Sequence, residues 1–310
     1  MKILILGFSS LSIRKIIPAL KKSSKKFKFE ICSVSKSKKS IGESKWFRNY
    51  NVALTKSNAD IVYISLQNSK HFYWAKKFLE NKFHVIIDKP ATLSLKEAKE
   101  LVGIAKKNKK LLSEAVIFNY HAQFKQLLKE ITNKDKLESV LSNFKIPQLP
   151  KNNFRNFPTH GGGCFNDMSP YAAVLFRIFI NKKLTKDKIY FTSINKNKLN
   201  ILFNFFAYLK KIIFFSSFSF NDNYQNELTL VTSKKILKIY RVFSPPSDKK
   251  LKILIHYKDQ NKNITKLIKK DDIFVNYFND IYKSLKNRRF LDYYKILLKD
   301  SNFREKIKKN

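Results

Sequence analysis

The stretch HGGGCFNDMSPY, His160 to Tyr171, places Asp167 and Tyr171 four residues apart, just behind Gly161, Gly162 and Gly163. On a helix that spacing sets a carboxylate and a phenol on one face. The chain has only six glycines in 310 residues, so three in a row mark a place where side chains are not tolerated or φ is positive. A second group of residues follows the run KILILG, residues 2 to 7, as Phe8-Ser9-Ser10-Leu11-Ser12. Gly7 stands at a strand-to-helix turn, where a dinucleotide pyrophosphate can rest on the helix N-terminus. Ser9 and Ser12 occupy the places of the second and third glycines of such a turn, and serine hydroxyls with backbone N–H groups can also hold phosphate oxygens. A plain strand-to-helix turn of an α/β protein would look the same. After the next strand comes Ser35-Lys36, where an acidic residue would bind the ribose 2′-hydroxyl of NAD. A hydroxyl and a cation there suit a 2′-phosphate and favour NADP over NAD, although a solvated lysine-rich loop reads alike.

These residues need elements to carry them. KILILG is a continuous apolar run, as a strand buried on both faces would be. Ile13, Ile16, Ile17 and Leu20 recur at helical spacing, and FEICSVS reads as the second strand. DIVYIS, FHVIID and KLLSEAVIF read as further strands, separated by the helical stretches NSKHFYWAKKFLENK and SLKEAKELVGIAKKN. The alternation indicates a doubly wound parallel sheet, a Rossmann-type domain over residues 1–118. Beyond it the texture changes. Residues 121–131 read as a helix, 141–160 as a loop with Pro147, Pro150 and Pro158, and Cys164 to Ile180 as a helix. From Lys188 to Tyr257, β-rich runs separated by turns suggest a large, mostly antiparallel open sheet, before helical spacing returns in the tail. The fold class is α/β, with an α+β domain over 119–310 for substrate binding and oligomerisation.

Composition excludes several classes. Hydrophobic content of 44 %, with 28 Phe, is ample for packed cores and argues against a disordered chain. The net charge of +40 would attract polyanions, yet the lysines are scattered as pairs and short runs without a basic arm. The joint enrichment of Lys, Asn, Ile and Phe points as much to codon bias, so no specific nucleic-acid partner is expected. Cys32 and Cys164 have no metal-ligand spacing and form no disulfide framework, and no metal is expected. The longest apolar region, 199–220, is interrupted by Lys210-Lys211, too early for a membrane span. A soluble cytoplasmic protein follows as the expectation.

In this order, the Gly7 turn, Asn68 and His71, Asp88-Lys89-Pro90, the segment Glu114 to Phe124 and GGGCFNDMSPY resemble the Gfo/Idh/MocA family of NAD(P)-dependent sugar and cyclitol oxidoreductases. The resemblance runs from Met1 to about Arg177. It implies a catalytic set of Lys89, Asp167 and Tyr171. Lys89 would sit near the nicotinamide and stabilise alkoxide character at the substrate oxygen. Tyr171 would donate the proton in ketone reduction, helped by the Lys89 charge, with Asp167 as substrate ligand or proton partner. The implied cofactor contacts are Gly7, Ser9, Ser10, Ser35, Lys36, Ser65, Asn68, His71, Asp88 and Lys89. His121 and Arg155 fall where the family lines its substrate pocket, and equally where a domain junction would need them. Ser169 replaces the glycine usual between the Asp and the catalytic residue.

The expected activity is hydride transfer between NADP, or NAD, and a keto or secondary alcohol group of a sugar. The serine turn, Ser35-Lys36 and Tyr171 look most like the nucleotide-sugar ketoreductases. Two alternatives stay open: a dinucleotide-dependent glycoside-cleaving enzyme of the same fold, and a non-catalytic cofactor- or polyanion-binding protein. Family members pair through the open face of the second sheet, so a homodimer or homotetramer is expected, with the Phe-rich strands 201–220 as interface or as ordinary core.

Overall fold

Apolar runs at the start of the chain become short parallel strands: Lys2–Leu6 (β1), Lys28–Cys32 (β2), Trp46–Phe47 (β3), Ile61–Ile64 (β4), His84–Ile87 (β5) and Leu112–Glu114 (β6). Their order in the sheet is β3-β2-β1-β4-β5-β6, the doubly wound order that places ligands at the strands' carboxyl ends, where it reverses. Ile3 to Leu6 and Ile61 to Ile64 are completely buried, which is why these strands read as runs rather than as alternations. This computed structural model describes residues 1–23, 26–34, 44–132, 135–180, 189–209 and 211–308.

The helices of this sheet are Ile17–Lys22 (α1), Tyr50–Lys56 (α2), Asn68–Glu80 (α3) and Leu95–Lys107 (α4). Ahead of α1, residues Ser12–Ile16 form a π-helical turn in which the Ile17 N–H donates to the Ser12 carbonyl. Pro18 accounts for it: in a regular helix its ring would crowd the carbonyl of Arg14, and the wider register relieves that clash. α4 is started by Ser94, whose hydroxyl accepts the Glu97 N–H at 3.2 Å, while Glu97 accepts the Leu93 N–H at 2.8 Å. The pair is a variant of the capping box in which the return bond reaches the residue before the N-cap.

His84 opens β5, where its Nδ1 accepts the Leu111 N–H at 2.9 Å. Burial, aided by the Lys110 charge, pushes this imidazole from 6.5 down to about 4. The folded protein therefore binds that proton more weakly than the unfolded chain, and the stability His84 contributes above pH 6.5 is lost as pH falls from there towards 4. Thermal unfolding should show the midpoint declining across that window, and declining less in His84→Asn, whose amide oxygen can accept the same N–H. Equal slopes in the two proteins would clear His84 of responsibility.

The second unit contains Ala122–Lys129 (α5), Leu137–Ile146 (β7), Cys164–Phe179 (α6), Ile189–Lys196 (β8), Leu199–Leu209 (β9), Ile212–Phe220 (β10), Gln225–Thr232 (β11), Lys235–Tyr240 (β12), Leu251–Tyr257 (β13) and Lys262–Ile268 (β14). The strands form one sheet in the order β14-β13-β12-β11-β7-β10-β9-β8, antiparallel throughout except where β10 runs parallel to β7. One face is a Phe-rich core. Phe203 stacks on Phe218 at 5.0 Å, and Phe176 of α6 meets Phe214 at 5.4 Å. On the opposite face the register aligns Tyr190, Phe206, Phe215 and Leu141 in one row across four strands, with Tyr190 and Leu267 both 64 % exposed. The phenylalanines of 201–220 thus divide between the two roles, with Phe203, Phe205, Phe214 and Phe218 in the core.

Two expectations change here. Residues 141–146 belong to β7, an inner strand, rather than to a loop. Its inward positions are Val140, Ser142 and Phe144, and Ser142 shares a buried hydrogen bond with Ser216 at 2.7 Å, so a serine stands where the apolar alternation should continue. The division into domains is also not linear. The last helices, Ile273–Lys286 (α7) and Leu291–Lys308 (α8), send residues 274–301 back to the first unit, which comprises Met1–Ala115 and Phe274–Ser301. Val116–Ile273 and Asn302–Asn310 make the second. Phe278 packs on Phe27 and Tyr63, and the Tyr277 hydroxyl bonds Ser113 at 2.8 Å, so α7 covers apolar surface that 1–118 alone leaves open.

Candidate active site

In the first unit the chemistry starts at the turn after β1. Gly7 has φ of +106°, and a Cβ there would overlap the Ser65 carbonyl at the end of β4. The glycine is demanded by the neighbouring strand end. The serines of the turn form a network: Ser9 shares hydrogen bonds with Ser12 at 3.0 Å and with Ser65 at 2.7 Å. Ser9 also accepts the Ser12 N–H at 3.0 Å, and the Ser12 hydroxyl donates to the Gly7 carbonyl at 2.9 Å. Hydroxyls thus brace a turn that glycines usually shape, while Ser10 stands exposed beside it. Ser35 and Lys36 lie outside the described residues.

The loop after β5 carries Asp88, Lys89 and Pro90, the last joined by a cis peptide bond. Asp88 accepts the Lys89 N–H at 2.9 Å. Three side chains hold the loop from outside. The His71 Nδ1 faces the Pro90 carbonyl at 2.8 Å, Glu114 of β6 accepts the Ala91 N–H at 2.7 Å, and Glu97 takes the Leu93 N–H. The backbone around Lys89 is therefore fixed, as a positioned cation requires. Asn68, the first residue of α3, is 3 % exposed and His71 only 1 %. The imidazole is held below its ordinary value by burial, against the pull of its two carbonyl contacts and of Glu114.

In the second unit Gly161 and Gly163 have φ of +72° and +97°, and a Cβ on Gly162 would overlap the Arg155 carbonyl. The glycines let the chain wrap residues 155–157 against the start of α6: the Gly163 N–H donates to Arg155 at 2.9 Å and the Gly162 N–H to Phe157 at 3.0 Å. That wrapping brings Arg155 to Asp167, Nε to Oδ1 at 2.7 Å, with the guanidinium 4.6 Å from the Phe154 ring centre. Asp167 is 5 % exposed, so its carboxylate is compensated where it is buried. One turn on, the Tyr171 ring lies 5.9 Å from Phe118, 5.6 Å from Phe144 and 5.0 Å from Phe243. This box fixes the ring plane.

Several supporting residues carried no signal of their own in the sequence. Asn200 of β9 accepts the Phe165 N–H at 2.9 Å and so caps α6, whose own N-cap, Gly163, has no side chain. Asn166 donates to the Gly161 and Gly162 carbonyls. Phe118, Phe144 and Phe243 come from three separate places in the chain. Only Ser94-x-x-Glu97 could have been found in advance, as a capping box. Ser169 is buried completely, and its hydroxyl has no hydrogen-bond partner among the described residues, at a cost of about 1–3 kcal/mol. His121 is 1 % exposed and caps α5, its Nδ1 accepting the Gln123 N–H at 3.0 Å. Its imidazole is lowered chiefly by burial. Cys32 and Cys164 are buried and form no disulfide among the described residues. Among the described residues no helix is long and apolar enough to cross a membrane.

Comparison with known proteins fits this geometry. Residues 1–116 match the profile of the GFO_IDH_MocA family, described as an oxidoreductase family with an NAD-binding Rossmann fold. The chain is 30 % identical over 139 residues to a dTDP-3,4-didehydro-2,6-dideoxy-alpha-D-glucose 3-reductase of Saccharopolyspora spinosa, a match covering 44 % of this chain and 42 % of that protein. A reductase of the same name from Streptomyces antibioticus is 23 % identical over 270 residues, covering 82 % of this chain and 80 % of its own. Among solved structures, the 3-ketoreductase KijD10 of Actinomadura kijaniata, in complex with NADP and TDP-benzene, has the same fold. The TM-score is 0.87 at 20 % identity, covering 98 % of this chain and 96 % of that one.

Proposed function

Because the chain belongs to the Gfo/Idh/MocA oxidoreductases through its first 116 residues, we propose that it is an NADP-dependent reductase of a keto group on a nucleotide-linked sugar. The observation that carries the reading is the loop after β5, where Pro90, Ala91 and Leu93 are each tied by a side chain so that Lys89 has a fixed backbone. The relatives named for a dTDP-sugar 3-reductase, and a structural neighbour holding NADP and TDP-benzene, support the substrate class.

The turn fits a dinucleotide. Gly7, Ser9, Ser10 and Ser65 stand at the strand ends where the sheet order reverses, with the π-helical start of α1 behind them. Asn68 opens α3 beyond β4, and Asp88 directly follows β5. Bound NADPH would supply the hydride. Lys89 offers a cation to the carbonyl oxygen, which gains negative charge as its C–O double bond becomes single. Tyr171 delivers the proton: its O–H bond breaks as the alcohol O–H forms, leaving a phenolate to be reprotonated from solvent. Asp167, neutralised by Arg155, binds a sugar hydroxyl rather than moving a proton, and Arg155 adds a positive charge for the substrate's anionic part. His121 supports the pocket from its place as the α5 cap. A second copy of the chain covers the partly exposed row from Tyr190 to Leu141.

Calorimetry tests the cofactor. NADPH should bind at least about tenfold tighter than NADH, and Lys36→Glu should erase that preference by setting an anion against the 2′-phosphate. If neither nucleotide binds, the reading fails at its first step.

A further inference from the structure

His71 presents a problem of proton count. Its Nδ1 faces the Pro90 carbonyl at 2.8 Å and its Nε2 the Leu66 carbonyl at 3.1 Å, and the residue is 1 % exposed. Both partners only accept. A neutral imidazole has a single N–H, so one ring nitrogen would turn a lone pair towards a carbonyl oxygen, while an imidazolium donates at both. The two carbonyls belong to different loops, Leu66 to the one after β4 and Pro90 to the one carrying Lys89. The shorter contact identifies Pro90 as the partner of the neutral ring.

We propose that His71 is a positioning residue for Lys89, a clamp that always holds the Lys89 loop through Pro90 and ties it to the loop after β4 only when the ring carries its second proton. The inference rests on the assignment of Lys89 to the reacting oxygen, but the clamp can be observed without substrate. The charged groups around it are few. Glu114 of β6 pulls the ring towards the charged form while bonded to the Ala91 N–H. Asp88 and Lys89 stand just ahead of Pro90. On α4, Glu97 is turned to Leu93 and Glu100 is paired with Lys76 at 2.7 Å. Lys70, on His71's own helix, is exposed. None of the bonds drawn for these groups takes the place of either carbonyl contact.

The deciding experiment is nitrogen NMR on the full chain as pH is lowered from 8. The Nε2 of His71 should gain a proton below the ordinary imidazole range, and the backbone amides of Gln67, Lys89 and Ala91 should shift with the same midpoint. In His71→Gln, whose amide donates without titrating, that midpoint should vanish while the rest of the spectrum is kept. A ring that never takes its second proton, or a Lys89 amide that ignores the ring, overturns the clamp. NADPH titrations add a functional arm. Between pH 8 and 5.5 the wild type should gain about five- to tenfold in affinity beyond the change in His71→Gln, as a proton bound more tightly in the complex requires. The ionisation of the nucleotide's own phosphate cancels in that ratio. Parallel profiles overturn the link to the cofactor site. If the wild type fails to bind NADPH at all, the proposed function falls, and the amide shifts still decide the clamp.

Discussion

Tyr171→Phe should lower kcat for reduction of a dTDP-linked 3-ketosugar by about 10²–10⁴-fold, the usual worth of one positioned proton donor. NADPH affinity and the melting temperature should stay close to wild type. The phenylalanine keeps the ring in its box of Phe118, Phe144 and Phe243, so only the hydroxyl is lost. The loss should appear in kcat and kcat/KM alike, because the proton moves only in the transition state. A variant retaining more than about a fifth of wild-type activity would show that the proton comes from elsewhere, with the substrate's own hydroxyls or an ordered water as the next candidates.

Lys89→Met is the second decisive case. The methionine keeps much of the stem and removes the charge, so the loop tied by His71, Glu97 and Glu114 should keep its course. With no cation facing the developing alkoxide, kcat should fall about 10²–10³-fold, the cost of removing one preorganised electrostatic contact. NADPH binding should weaken far less. If KM or cofactor affinity carries most of the loss and kcat is preserved, Lys89 binds and does not catalyse.

How much of this was legible in the sequence depended on whether a signal was local. β1, β4 and β5 are buried on both faces, so their apolar runs announced them. Glycines in a chain so poor in them marked two real constraints, and the fold supplies the atoms that impose them. Gly7 yields to the Ser65 carbonyl and Gly162 to the Arg155 carbonyl, contacts of the protein with itself that no motif describes. β7 was hidden because Ser142 occupies a core position and is satisfied only by Ser216, far along the chain. β14 was missed because its lysines and asparagine mask a short edge strand whose partner lies across a turn. The ion pair of Arg155 with Asp167 depends on the wrapping of the glycine loop, so it could be suspected from composition and located only in the fold.

The return of residues 274–301 to the first unit bears on how the protein is made. A ribosome finishes β6 long before it reaches α7, and at about 5–20 residues per second the intervening segment takes roughly ten to thirty seconds to emerge. During that interval Phe27 and Tyr63 wait for the aromatic side chain of Phe278, and Ser113 waits for Tyr277. The cofactor-binding unit is therefore begun before the second unit and completed only after residues 116–273 of it, and chains stalled before residue 274 should leave that aromatic surface open to a hydrophobic dye.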